Sequence, residues 1–222
     1  MSYFMNVTSP PNTYKKWTEW MVGILLLGYF LLYNRDTLSD FIVCSSLCLL
    51  LALFRQPLGL TPPKVRPWGK ADTILSISMV SLFATAWIYG YSTGKITPKT
   101  ASISLAISLV YVYYAFIQHF LAQAYLAVRL WQWSEQLLQG KPSRWSPELM
   151  GALTTGIVFG ILHIPYPHLI IAATIGGCLF AYYYLITGRL WMVILGHALI
   201  SSPSLYWYLD DNPFLELVAL FE

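Results

Sequence analysis

The stretch from Thr100 to Trp133, TASISLAISLVYVYYAFIQHFLAQAYLAVRLWQW, decides the fold. It contains no Pro, no Gly and no acid. At about 1.5 Å of rise per residue it predicts roughly 50 Å of unbroken helix. The hydrocarbon core of a bilayer is only about 30 Å thick, so the helix must tilt, protrude or break.

The rest of the chain has the same character. Of 222 residues, 57% are apolar, 16% aromatic and only 10% charged; the mean hydropathy is +0.57. A soluble domain carries about a quarter charged residues. So few charges cannot coat a water-facing surface of this size, and the composition excludes a disordered chain, a disulfide scaffold and a nucleic-acid binder. Further apolar runs lie at 17–33, 39–54, 71–90, 148–164, 168–186 and 190–208. They are separated by a Pro-rich basic loop, RQPLGLTPPKVRPWGKAD (55–72), a turn at 91–99 and a polar loop at 134–147. Ser146-Pro147-Glu148 is a helix start, with Ser as cap, Pro at the first position and Glu in the first turn. The expected architecture is an all-α polytopic transmembrane bundle of about seven or eight helices. Residues 1–222 form one membrane domain, and the apolar tail 213–221 lies at the interface.

Lys and Arg orient the bundle. With 100–133 as one crossing and the N-terminus inside, Lys15, Lys16, Arg55, Lys64, Arg66, Lys70, Arg129, Lys141, Arg144 and Arg189 fall on the inner side. Arg35, Lys95 and Lys99 fall outside. This positive-inside bias puts the N-terminus in the cytoplasm. Splitting 100–133 would invert everything after it. The basic loop 55–70 is expected to meet lipid headgroups. Trp17, Trp20, Trp68, Trp131, Trp133, Trp145, Tyr206 and Trp207 cluster near run ends, as interfacial anchors do. Cys44, Cys48 and Cys178 lie in apolar runs and read as reduced packing residues.

Polar residues inside the membrane decide what the bundle does. No Asp or Glu occurs between Asp72 and Glu135. Histidine behaves in the opposite way. His119, His163 and His197 lie inside apolar runs on three different helices, and His168 sits at a turn beside Pro167. One such histidine is ordinarily a hydrogen-bonded packing residue. Three in one bundle each need a partner for an N–H and can share one. Three His with an open fourth position is also a catalytic zinc arrangement, which makes His119, His163 and His197 candidate metal ligands. His119 and Gln123, Phe159 and His163, and His197 and Ser201 are each four apart and share a helix face. Gly156 and Gly160 form a small-xxx-small pair that allows close helix contact.

At these residues the chain resembles the CAAX-protease and bacteriocin-processing family of intramembrane proteins. Its members carry Glu-Glu-x-x-x-Arg, Phe-x-x-x-His and His-x-x-x-Asn or Asp on separate helices. Phe159-Gly160-Ile161-Leu162-His163 matches the second pattern, in the setting FGILHIP. GRLWMVILGHALIS resembles the third segment, with His197 matching and Ser201 at the Asn/Asp position. AFIQHFLAQAYL resembles the first-motif helix, with Gln118 and His119 at the two Glu positions and Gln123 at the Arg position. The resemblance covers about residues 100–205.

In this family a first-motif Glu activates water, while the two motif histidines and the Asn bind metal or stabilise the oxyanion. The resemblance therefore assigns the metal or oxyanion role to His163 and His197. Gln118 cannot take the base role, because a carboxamide accepts no proton at neutral pH. Glu and Arg are replaced together, so the site has been neutralised as a unit.

The reading that follows is a non-proteolytic member of the family, a scaffold or assembly factor for other integral membrane proteins. Its partners are the bilayer and another membrane protein, with no nucleic acid. The expected setting is a bacterial inner membrane or a thylakoid. Two alternatives stand beside it. One is an atypical metalloprotease with zinc on His119, His163 and His197. The other is a membrane protein that binds a tetrapyrrole or similar pigment through these histidines.

Overall fold

The structure is a computed structural model that describes residues 62–94, 111–139, 144–163 and 167–208, together with the isolated helical positions Ser46 and Leu49. For His168 and for 201–208 it describes the backbone alone. The expected spans at 17–33 and 39–54, residues 100–110 of the long run and the tail 213–221 lie outside the described residues. So do Cys44, Cys48 and the N-terminal basic residues that set the orientation.

Among the described residues every regular element is helical. Helix α1 is Lys70–Ser92. Helix α2 covers 111–119 and runs without a break into a π-helical segment, Phe120–Ala127, and then into α3, Val128–Leu138. Helix α4 is Pro147–Ile161, α5 is Pro167–Thr187 and α6 is Leu190–Tyr208. Two stretches, Lys70–Ser92 and Leu169–Thr187, are long and apolar enough to cross a membrane. Helix α4 and the segment Leu190–Ile200 are apolar but shorter.

The helix starts follow local chemistry. Ser146 caps α4, its hydroxyl accepting from Leu149 N at 3.1 Å, with Pro147 in the first turn. At α1 the Asp72 carboxylate accepts from Gly69 N at 2.8 Å, which ties the third helical residue back to the cap. The end of α5 is a glycine stop. Gly188 has φ of 74° and donates from N to Tyr184 O at 2.8 Å. The long run ends later than expected. Residues 134–138 of the expected polar loop (SEQLL) stay helical as part of α3, with Ser134 Oγ donating back to Leu130 O at 2.8 Å. Polar composition did not stop the helix because no Pro or Gly precedes Gly140.

Packing uses small side chains. Helices α4 and α5 make the most extensive contact, α3 lies on α4, and α1 lies on α6. The core is built around Ala127, Val128, Ala152, Ala181, Tyr184 and Val193, all nearly or fully buried. A second cluster joins Tyr111 and Ala115 to Ile194 and Ala198. Large apolar side chains point outward instead, including Ile74, Ile77 and Val80 on α1 and Ile171, Ile175 and Leu179 on α5. This inverted arrangement suits a lipid surround, where close backbone approach, and not burial of bulk, holds helices together.

Hydroxyls within the helices are satisfied locally. Ser76 donates to Asp72 O, Thr155 to Gly151 O and Thr187 to Tyr183 O, each at 2.7–2.8 Å. Such back-bonding leaves no hydroxyl proton facing hydrocarbon.

Candidate functional site

The functional candidates of the long run sit where its helix changes pitch. His119 is the last residue of α2, and the π-helical segment begins at Phe120. π-helical turns are rare and recur at functional sites. Here the change of pitch carries Ala122, Gln123, Ala124 and Tyr125 into the interior together. His119 and Gln123 are both completely buried. His119 Nδ1 lies 2.7 Å from Gln123 Oε1. An amide oxygen only accepts, so Nδ1 carries the proton and Nε2 is a bare acceptor.

Four aromatic and imidazole rings close around this pair. The His119 ring meets the His197 ring edge-on at 4.5 Å between centroids. Phe180 packs its edge at 5.4 Å and Phe159 lies at 5.9 Å. His163 joins through Phe159, its ring 5.0 Å from that phenyl group, while its Nδ1–H donates to Phe159 O at 2.8 Å. On the far side of His197, Tyr111 stacks at 5.5 Å and its hydroxyl lies 2.8 Å from His197 Nε2. The structure thus gathers His119, Gln123, Phe159, His163 and His197 from three separate parts of the sequence. Gln118 adjoins them with its Oε1 buried. The Ser201 side chain lies outside the described residues. Phe180 and Tyr111 carried no signal in the sequence beyond lying in apolar runs.

Three polar atoms in this cluster are buried without a hydrogen-bond partner among the described residues: Gln118 Oε1, His119 Nε2 and Gln123 Nε2. Two are acceptors and one is a donor. A water or a hydroxyl group would satisfy any one of them.

Nδ1 of His119 and Nδ1 of His163 each donate to an oxygen, which leaves Nε2 as the open nitrogen of each ring, while Nε2 of His197 faces the Tyr111 hydroxyl. Among the described residues no group of three His, Cys, Asp or Glu is placed to hold a metal ion.

No described acid contacts the cluster. The described residues contain Asp72, Glu135 and Glu148. Asp72 is bound to Arg189, Tyr183 and the Gly69 amide. Glu135 lies sixteen positions along the helix from His119, about 24 Å at helical rise. Glu148 lies eleven positions before Phe159, about 16 Å.

Residues 100–202 match the family model described as type II CAAX prenyl endopeptidase Rce1-like. The chain carries a CAAX-protease-like domain. No curated protein and no solved structure matches the chain. The Rce1-like segment takes in the whole ring cluster, from Tyr111 to His197, and includes helices α2 to α5 with most of α6. Helix α1 lies before it and packs on α6 from outside the matched residues.

The buried pair makes a stability prediction. Gln123→Leu strands the His119 Nδ1–H and is expected to destabilise the protein by about 1–3 kcal/mol. The double variant His119→Phe with Gln123→Leu removes both partners and is expected to lie within about 1 kcal/mol of the wild type. Reversible unfolding in mixed micelles measures both. A double variant as unstable as the sum of the single ones would show that the pair is not an isolated unit.

Proposed function

We propose that this CAAX-protease-like membrane protein is non-proteolytic and serves as a scaffold or assembly factor for other integral membrane proteins. The observation that carries this reading is the neutral His119–Gln123 pair at the centre of the cluster, with no carboxylate among the described residues beside it. Peptide hydrolysis needs a base to take a proton from water, and a carboxamide cannot do so. At the two Glu positions of the resembled first motif stand Gln118 and His119, and at its Arg position stands Gln123. Losing the acid and the cation together leaves no unpaired charge buried, so the fold tolerates the change where a single replacement would leave an isolated ion. The His119 ring is packed against Phe159, Phe180 and His197.

Two measurements test the proposal. Full-length protein in nanodiscs is given a prenylated CAAX peptide and a transmembrane peptide. The expected result is cleavage no faster than with empty nanodiscs. Turnover above that blank, abolished by His197→Ala, overturns the reading. Gentle extraction from native membranes is expected to yield a stoichiometric membrane-protein partner, and a chain that purifies alone under such conditions removes the support for a scaffold.

A further inference from the structure

The segment before α1, residues 62–69, has no regular structure, yet it is pinned to the α5–α6 turn. Arg66 is held through its main chain on both sides. Its N donates to Thr187 O at 3.0 Å, and its O accepts from Arg189 Nη2 at 2.5 Å. The Arg189 guanidinium also lies 5.3 Å over the Trp68 ring and forms an ion pair with Asp72, its Nε 3.0 Å from Oδ1. Trp68 Nε1 donates to Thr73 Oγ1 at 3.1 Å. Tyr183 OH donates to the same Asp72 carboxylate. Gly188 leaves room for the segment to pass, since a Cβ there would lie 2.7 Å from Pro63 O.

Among the described residues the outcome of this pinning is a surface of one sign. Lys64, Arg66 and Lys70 are exposed, whereas the nearest acid, Asp72, is 2% exposed and spent on Arg189 and Tyr183. Between the cations stand two exposed apolar groups, Val65 at 65% and Trp68 at 52%. A cation paired internally by an acid would attract no anion. Here the internal cation, Arg189, is neutralised by Asp72, and among the described residues no acid pairs with the outer three.

We infer that residues 64–70 form a preorganised site for the phosphate of an anionic phospholipid headgroup, with Lys64, Arg66 and Lys70 meeting the charge and Val65 and Trp68 entering the interface beside it. Pure electrostatic attraction of a flexible basic loop would explain neither the two main-chain bonds on Arg66 nor the fixed, half-exposed indole. An interfacial Trp sits at headgroup depth, and each nearby cation strengthens anionic-lipid binding by about fivefold. A rigid backbone keeps the three cations together without the entropy loss of ordering a loop on binding.

The test uses full-length protein in phosphatidylcholine nanodiscs doped with a minor fraction of brominated phosphatidylglycerol or, in parallel, brominated phosphatidylcholine. Quenching of Trp68 is isolated as the difference between wild type and Trp68→Phe. Stronger quenching by the anionic lipid is expected. It should weaken in high salt, fall about fivefold in apparent preference with Arg66→Gln, and vanish with Lys64→Gln, Arg66→Gln and Lys70→Gln combined. These side chains are exposed, and the Arg66 main-chain bonds survive substitution, so the variants fold. Equal quenching by the two lipids, or full preference in the triple variant, overturns the inference. Inorganic phosphate at constant ionic strength is expected to leave the quenching unchanged; displacement of the lipid would identify a soluble phosphate site instead and overturn the lipid assignment.

Discussion

Gly156→Val is expected to prevent stable packing of α4 on α5. A Cβ at Gly156 would collide with Cys178 Sγ, which can rotate. It would also lie 2.6 Å from Cys178 N and 2.6 Å from Thr174 O, which are backbone and cannot. One turn on, a Cβ at Gly160 would collide with Thr174 Oγ1 and lie 2.9 Å from Ile170 O. The facing helix contributes its own glycine: a Cβ at Gly177 would be 3.1 Å from Gly156 Cα. At these glycines the facing backbone lies too close to admit a Cβ, so any branched residue forces the helices apart. Overpacking of this kind costs about 3 kcal/mol or more. In a membrane the loss is not offset by hydrophobic burial elsewhere, because close packing is itself the main attraction. Gly176 is the control. It lies on the same helix as Gly177 with nothing within 4 Å of its Cβ position. Gly176→Ala is expected to be neutral or to stabilise by up to about 1 kcal/mol through helix propensity. Unfolding in mixed detergent and SDS micelles compares them; Gly156→Val as stable as Gly176→Ala would refute the close-contact account.

The second large effect is expected at Asp72. Its carboxylate receives Gly69 N, Tyr183 OH and the Arg189 guanidinium. The Asp72 and Arg189 side chains are 3% and 13% exposed. Asp72→Ala therefore leaves a nearly buried cation and two donors without their acceptor, and is expected to cost about 3 kcal/mol. Asp72 with Arg189 ties α1 to the α5–α6 turn and holds the 62–69 segment, so the loss should appear as increased proteolysis of that segment as well as lower stability. The double variant Asp72→Ala with Arg189→Ala is expected to be more stable than Asp72→Ala alone, since it removes the stranded charge. A double variant less stable than either single one would show that the ion pair is not what Asp72 contributes.

Much of the site was legible in the chain. The spacing of four between His119 and Gln123 and between Phe159 and His163 placed each pair on one face, and the structure joins each in direct contact. Gly156 and Gly160 announced a close helix contact, which α4 and α5 make. The Ser146-Pro147-Glu148 start holds, with Ser146 bonding as a cap. The clasp at Asp72 was not legible. Its members lie up to 123 positions apart in the chain, and an Asp in the first turn of a helix signals only a local cap. Tyr111 and Phe180 were hidden for a similar reason, since an aromatic residue in an apolar run looks the same whether it faces lipid or an imidazole. The π-helical segment had no signature either. Its turns depend on how the buried Gln123 and its neighbours pack, and FLAQAYLA is as good an α-helical sequence as its surroundings.

By itself the sequence determined a helical, membrane-type protein, a CAAX-protease-like segment, and a first motif without charge. These properties are local: apolar run length, residue identity and i to i+4 spacing act within one helix. Tertiary structure alone decided that His119 and His197 meet, that Tyr111 rather than a near neighbour in sequence is the partner of His197, and that Asp72 is spent on Arg189. Each of these joins residues far apart in the chain and on different elements of the fold. Such contacts depend on crossing geometry and on where glycine lets backbones approach, which a one-dimensional pattern does not encode.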